Sequence, residues 1–298
     1  MINPDSIKAK LNAKAQLNGH MLQEELTTYG IERTLYRISI SDYVDKFILK
    51  GGIFLYALFN GDFTRVTSDL DLLAQKVDNE VENLERIFNE IFSLKADDAL
   101  NYDLKSLVIK KITEFKSYHG VKISIIAYLD RTKIPISIDI GFGDIISPER
   151  ILMDFPCILD MEIPKIYSYS LNSVIAEKFE AIVSLGYVNS RYKDFYDIYI
   201  LASNYDFQGK ELKNAIEETF IYRKTEFDDI VAFEKDFAID PIRRGRWEAF
   251  IKKKKAMVVV DFTIAVNLIK DFLEPVITNI IGHEEMVCTW NSQKREWK

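Results

Sequence analysis

Between Ser68 and Ala74 acidic and apolar residues alternate as Asp69, Leu70, Asp71 and Leu72, a period of two that predicts a strand with one face in a core. On such a strand Asp69 and Asp71 share one face while Leu70 and Leu72 point to the other. Upstream, Phe47-Ile48-Leu49 predicts a short buried strand, Gly51-Gly52 a turn, and Ile53 to Phe59 a helix that Asn60-Gly61-Asp62 ends. Val81, Leu84, Ile87, Phe88 and Ile91 fall at helical spacing and predict a helix from Asn79 to Ser93. Leu107 to Phe115, Val121 to Tyr128 and Ile134 to Ile140 are β-branched and aromatic runs, separated by the turn signals His119-Gly120 and Asp130-Arg131. They predict three consecutive antiparallel strands. From Ser6 to about Val44 the pattern is helical and free of proline, and a break near Tyr29-Gly30 predicts two helices there.

Beyond Gly141-Phe142-Gly143-Asp144 the chain is punctuated by Pro148, Pro156 and Pro164, and the pattern then stays helical to about Phe272. This shift places a domain boundary near Pro164. Residues 1–164 form a mixed-sheet domain with a helical lead-in, and residues 165–298 a mostly helical domain, an α+β chain with α/β-like character. A length of 298 residues, 48% hydrophobic, supports two cores of that kind. The net charge of -7 argues against a protein that coats nucleic acid in general, so any basic surface is local. Arg243-Arg244-Gly245-Arg246 and Lys252-Lys253-Lys254-Lys255 are the clusters that fit a phosphate backbone, although charge runs also serve as solvated faces. Cys157 and Cys288 lack the spacing of a zinc site or a disulfide framework, which fits a reducing compartment. With no targeting pattern at Met1-Ile2-Asn3-Pro4-Asp5 and no apolar run of roughly 20 residues, the expected location is the cytoplasm, away from membranes.

Asp69 and Asp71 together are suited to a magnesium ion, which takes oxygen ligands and leaves positions open for substrate phosphates. Asp139 is an acid in the strand Ile134-Pro135-Ile136-Ser137-Ile138-Asp139-Ile140. If that strand lies beside the one carrying Asp69 and Asp71, Asp139 becomes a third carboxylate that completes a second metal position and helps deprotonate an attacking hydroxyl. Two ions about 3.5 to 4 Å apart stabilise the attacking and leaving oxygens of an in-line displacement. Otherwise Asp139 faces solvent on a half-exposed sheet. Lys178, on a helix predicted from about Leu171 to Leu185, shares a side with Val174 and Ile182 and so falls in an apolar arc. It either snorkels to water or aims its ammonium at a triphosphate in a cleft between domains. Asp194 and Asp197 lie one turn apart on the next helix. Three roles are open to them: pairing with Lys178, ordering the sugar or base of a nucleotide, or solvating a helix face flanked by Arg191 and Lys193.

The set Lys50-Gly51-Gly52, Arg65, Thr67, Asp69, Asp71, Asp139 in Ile138-Asp139-Ile140-Gly141, Glu177-Lys178 and Lys193-Asp194-Phe195-Tyr196-Asp197 resembles the AbiEii/AbiGii toxin family of nucleotidyltransferases. That family is the toxin half of abortive-infection and type IV toxin-antitoxin systems, and the resemblance covers roughly residues 30 to 205. It implies a polymerase β-like nucleotidyltransferase core with metal at Asp69, Asp71 and Asp139. Nucleotide contacts are implied at Gly51, Gly52, Arg65, Thr67 and Asp197, a phosphate contact at Lys178, and a catalytic or structural acid at Asp194. It also implies a cognate antitoxin. Two positions depart from the pattern. Ile53 follows the glycines where many nucleotidyltransferases place serine, and Lys193 stands where arginine is more usual.

The reaction expected is magnesium-dependent attack of an acceptor hydroxyl on the α-phosphate of a nucleoside triphosphate, with pyrophosphate released. The resemblance suggests RNA as acceptor, with the 3′ end of tRNA as one form. Two other classes share features with this one. Glycosyltransferases also hold metal-bound nucleotide sugars on Asp-x-Asp, but the preceding glycine turn and downstream Lys178 suit nucleotidyl transfer better. A degenerate transferase would keep the fold and serve as a non-catalytic interaction module.

Overall fold

The computed structural model describes residues 2–62, 65–114, 118–227 and 230–298. The chain divides into two compact units, the first built from residues up to 63 with 67–143 and 151–168, the second from 64–66, 144–150 and 169–298.

The first unit opens with α1 (Pro4–Asn18) and α2 (Leu22–Ser39). The break between them falls at Gly19, whose φ of 67° closes α1 in the left-handed conformation, and not near Tyr29-Gly30 as expected. Gly30 lies inside α2 for a different reason: a Cβ there would come within 2.9 Å of Ile134 Cγ2, so the missing side chain lets the helix settle onto the sheet. Next come β1 (Phe47–Lys50), α3 (Gly51–Leu58), β2 (Leu70–Ala74) and α4 (Val81–Ser93). The long strands β3 (Leu100–Glu114), β4 (Tyr118–Leu129) and β5 (Thr132–Phe142) follow, and β6 (Ile151–Asp154) and β7 (Lys165–Ser168) complete the unit.

These strands form one mixed sheet in the order β3-β4-β5-β2-β1-β7-β6. The three expected consecutive strands pair antiparallel, each longer than its apolar run, though the end of the first of them, Phe115, lies outside the described residues. β5 continues into a parallel pairing with β2. The alternation in β4 and β5 explains the layering: Val121, Ile123, Ile125, Ala127, Ile134, Ile136, Ile138 and Ile140 are buried, while the residues between them are half-buried or exposed. Near its start β3 carries a bulge, where pairing jumps from Asp103 opposite Ile126 to Val108 opposite Ser124. Ser106 fills it by accepting from Ile126 N–H at 2.9 Å and donating to the Asp103 carbonyl at 2.6 Å.

The second unit holds α5 (Leu171–Leu185), α6 (Tyr192–Asn204), β8 (Phe207–Gln208), α7 (Gly209–Arg223), α8 (Pro241–Lys253), α9 (Phe262–Ile281), β9 (Thr289–Asn291) and β10 (Glu296–Trp297). The predicted limits of α5 are the observed ones. The small sheet β10-β9-β8 was not expected, because strands of two and three residues leave no periodicity to read. It is held by aromatic packing of Phe207, Phe272, Trp290 and Trp297. Arg223 at the end of α7 binds Asp144 at 3.0 Å and Glu180 at 2.7 Å, which fixes the segment 144–150 into this unit. The whole is the α+β architecture read from the sequence, a mixed sheet flanked by helices followed by a mostly helical part. Among the described residues no helix is long and apolar enough to cross a membrane.

Candidate active site

In the first unit the chemistry is organised by strand register. Lys50 on β1 is opposite Asp71 on β2, Asp71 is opposite Asp139 on β5, Asp139 is opposite Lys122 on β4, and Lys122 is opposite Lys110 on β3. Register partners point to the same face of a sheet, so these five residues form one row across five strands, reading lysine, aspartate, aspartate, lysine, lysine. The condition placed on Asp139 is met, since its strand lies directly beside that of Asp71. Asp69 precedes the first residue of β2 and is half-buried, two positions from Asp71. Leu70 and Leu72 are fully buried behind the acids.

The glycine turn is shaped around Asp71. Gly51 opens α3 with φ +70°, and a Cβ there would lie 2.0 Å from Asp71 Oδ2. Only glycine therefore satisfies both the conformation and the approach of the carboxylate. Replacing Gly51 with alanine is expected to expel Asp71 from its place and to destabilise the unit. A loss of transfer activity together with a lowered unfolding midpoint checks this, and normal activity in that variant would contradict it. Gly52 is held open by a second neighbour, because its Cβ would sit 2.8 Å from Thr67 Oγ1. The turn that lacks a serine thus has a hydroxyl packed against it, supplied by Thr67 from outside the turn. In the sequence Thr67 stands out only through the family pattern.

Asp139 is 36% exposed, and its Oδ1 lies 3.2 Å from Lys122 Nζ. That atom is nevertheless buried and completes no hydrogen bond, a charged contact without the geometry of a bond. Among the described residues no three metal-ligating side chains converge on one point. The donor set still suits a hard cation: it is all carboxylate oxygen, it includes an oxygen without a hydrogen bond, and Gly51 leaves the space beside Asp71 clear.

The second unit holds a separate ion-pair cluster. Asp197 Oδ1 and Oδ2 accept from Arg65 Nε and Nη2, both at 2.7 Å, a bidentate pair between residues far apart in sequence. Lys178 Nζ donates to Asp197 Oδ2 at 2.6 Å and to Asp194 Oδ1 at 3.3 Å, and Arg191 Nε donates to Asp194 Oδ2 at 2.7 Å. Asp194 and Asp197 are 1% and 0% exposed, so they do not solvate a helix face, and Lys178 does not snorkel. Of the roles considered, pairing with Lys178 is the one seen. The cause is Arg65, whose guanidinium compensates a carboxylate that the helix alone would leave to water. Burial alone would raise the Asp197 carboxyl, but Arg65 and Lys178 outweigh it and hold the group at about 2. Burial alone would likewise lower the Lys178 ammonium, and the two carboxylates reverse this so that it stays charged. Asp194 is held below the usual carboxylate range, with burial opposed by Lys178 and Arg191. Lys193, where arginine is more usual, is exposed and acts on the cluster only through its charge, which helps Lys178 and Arg191 hold the Asp194 carboxyl down.

The basic clusters belong to α8 and the turn after it. Trp247 and Ile251 dock that helix, Arg244 pairs with Asp261 at 2.9 Å, and Arg243 lies over the Phe237 ring at 4.1 Å.

Comparison with known proteins adds the family. Residues 33–261 match the model of the nucleotidyl transferase AbiEii toxin of type IV toxin-antitoxin systems. The chain belongs to the AbiEii family. The match covers more than half of the chain, bears out the resemblance carried by the motifs and extends it beyond residue 205. This AbiEii-family chain is accordingly a nucleotidyltransferase, grouped with the toxins of type IV systems. A crystal structure of a candidate nucleotidyltransferase from H. pylori is similar in fold, with a TM-score of 0.50, 14% identity, and coverage of 87% of this chain and 97% of that one. The structure of JHP933 from Helicobacter pylori matches at a TM-score of 0.48 and 14% identity, over 85% of this chain and 92% of that one. No match is found among the curated proteins.

Proposed function

We propose that this AbiEii-family nucleotidyltransferase moves a nucleoside monophosphate from a nucleoside triphosphate onto a hydroxyl of an RNA acceptor, with magnesium as cofactor. The observation that carries this reading is the register of Asp71 beside Asp139 with the Gly51-Gly52 turn packed against Asp71. The N–H groups at the start of α3 suit an anion, and Thr67 adds a hydroxyl beside Gly52, so the triphosphate tail belongs at the β1 side of the row. Asp69, Asp71 and Asp139 would hold magnesium, which when bound supplies positive charge to the attacking and leaving oxygens. Asp139 would accept the proton of the attacking hydroxyl. The family pattern gives Lys178 a phosphate contact and Asp194 an acid's role. A cytoplasmic protein with a cognate antitoxin completes the reading, supported by the family's type IV systems.

The test is incubation with total RNA, magnesium and each labelled triphosphate in turn, beside parallel reactions with labelled sugar nucleotides. Label from a triphosphate is expected in RNA, and only with magnesium. Label from a sugar nucleotide would instead establish a glycosyltransferase. Failure of a triphosphate to bind with magnesium would leave a non-catalytic module.

A further inference from the structure

The row of register partners has two ends of different character. At the β1 end lies the glycine turn. At the other end Lys122 and Lys110 stand directly opposite each other on β4 and β3. Like charges directly opposite on neighbouring strands are destabilising, and among the described residues nothing compensates the pair fully. Lys122 reaches Asp139 without a hydrogen bond, and among the described residues Lys110 has no ion-pair partner and is exposed. The pair is also not an accident of a continuous hairpin. The bulge between Asp103 and Val108 shifts the register by an odd number of residues, from Asp103 opposite Ile126 to Val108 opposite Ser124. Without that shift Leu107 would stand opposite Lys122, and Lys110 would turn to the other face.

The direction of the reaction gives these lysines a task. In an in-line displacement the attacking and leaving oxygens lie on opposite sides of the reacting phosphorus. With the triphosphate tail at the β1 end, pyrophosphate departs on that side and the hydroxyl arrives from the side of β5, β4 and β3. The acceptor must then lie along the half-exposed face that carries Lys122 and Lys110.

We propose that this end of the row is the acceptor site, and that the acceptor is a phosphodiester strand whose backbone phosphates meet Lys122 and Lys110 while its terminal hydroxyl meets Asp139. The inference rests on the nucleotidyl-transfer reading. In the step itself an oxygen lone pair of the terminal hydroxyl forms the new bond to the α-phosphorus. The bond to the bridging oxygen breaks, its electrons leave with pyrophosphate, and the hydroxyl proton passes to Asp139. Lys110, which touches none of these atoms, acts through the strand backbone alone. This moves the acceptor away from the basic clusters of α8, which the sequence had suggested.

Binding of fluorescent single-stranded RNA and DNA oligonucleotides with free 3′ hydroxyls to the full chain, followed by anisotropy across a salt series, tests the proposal. In the logarithmic plot of affinity against salt, Lys110→Gln is expected to make the slope shallower by about 0.7, and Lys110→Gln/Lys122→Gln by about 1.4, since each phosphate contact on a single strand contributes about 0.7. In transfer assays Lys110→Gln is expected to raise KM for the acceptor and leave KM for the triphosphate unchanged. Tighter binding of RNA than of DNA, or the reverse, identifies the source of the strand, and either supports the site. An unchanged slope in both lysine variants overturns it, as does a loss of slope confined to Lys252→Gln/Lys253→Gln. Transfer of label to a protein hydroxyl also overturns it. If the wild-type chain transfers no nucleotide to any acceptor but shows the lysine-dependent slope, the transfer reading fails while the strand-binding surface stands. If it transfers nucleotide with the slope unaffected by the lysines, the reading stands and the acceptor site fails.

Discussion

Replacing Asp71 with asparagine is expected to lower kcat by more than about a hundredfold with little change in thermal stability. Asparagine keeps the shape of the side chain beside Gly51, where a Cβ would lie only 2.0 Å from Asp71 Oδ2, so the turn and the strand are not asked to repack. What disappears is one of the two negative charges of the row, the one between Lys50 and Asp139. Phosphoryl-group chemistry depends on positioning and charge stabilisation more than on covalent participation, so removing a charge without moving atoms isolates that dependence. Single-turnover transfer from a labelled triphosphate measures the loss, and a thermal melt confirms that the fold is kept. Near-normal turnover in this variant would sink the assignment of the acids to metal and phosphate chemistry.

The second large effect is on stability. Asp197→Ala is expected to destabilise the protein by about 3 to 5 kcal/mol, because removing one partner of a buried pair leaves the opposite charges stranded. Two cations are involved, the Arg65 guanidinium at 2.7 Å and the Lys178 ammonium at 2.6 Å. Denaturant unfolding at neutral pH measures the loss, and a cost under about 1 kcal/mol would place the cluster with surface pairs. The same carboxylate sets a pH dependence. It is held at about 2 in the folded chain against the ordinary aspartate value of 3.8, so the native state favours its ionised form. Its contribution is fully present above about pH 4 and is lost as the pH falls toward 2. The wild-type chain should lose stability through that interval more steeply than Asp197→Ala, whose profile lacks this component.

How far the sequence reaches is visible residue by residue. Asp69 and Asp71 were legible because strand alternation is local, and the position of Lys178 in an apolar arc was legible because helical periodicity is local. The burial of Asp194 and Asp197 was not, since a short acidic spacing on a helix looks the same whether or not a guanidinium from residue 65 covers it. Gly30 read as a break because glycine weakens a helix, and only the approach of Ile134 gives it another purpose. The Lys110 and Lys122 pair was invisible for a stronger reason. Which lysine of β3 faces the acids depends on a bulge that changes strand parity, and parity is a property of the pairing, not of either strand.

The distribution of the chain between its two units has a consequence for how such proteins can be cut and recombined. Arg65 and Val66 belong to the second unit although the residues around them belong to the first, and the segment 144–150 is held there by Arg223 through Asp144. A fragment beginning at Tyr169 would therefore lose the guanidinium that neutralises Asp197 and one of the carboxylates that meet Arg223. The helical half is not a cassette that gene fusion or truncation can exchange at one junction. It is inherited together with two short pieces of the sequence that encodes the sheet.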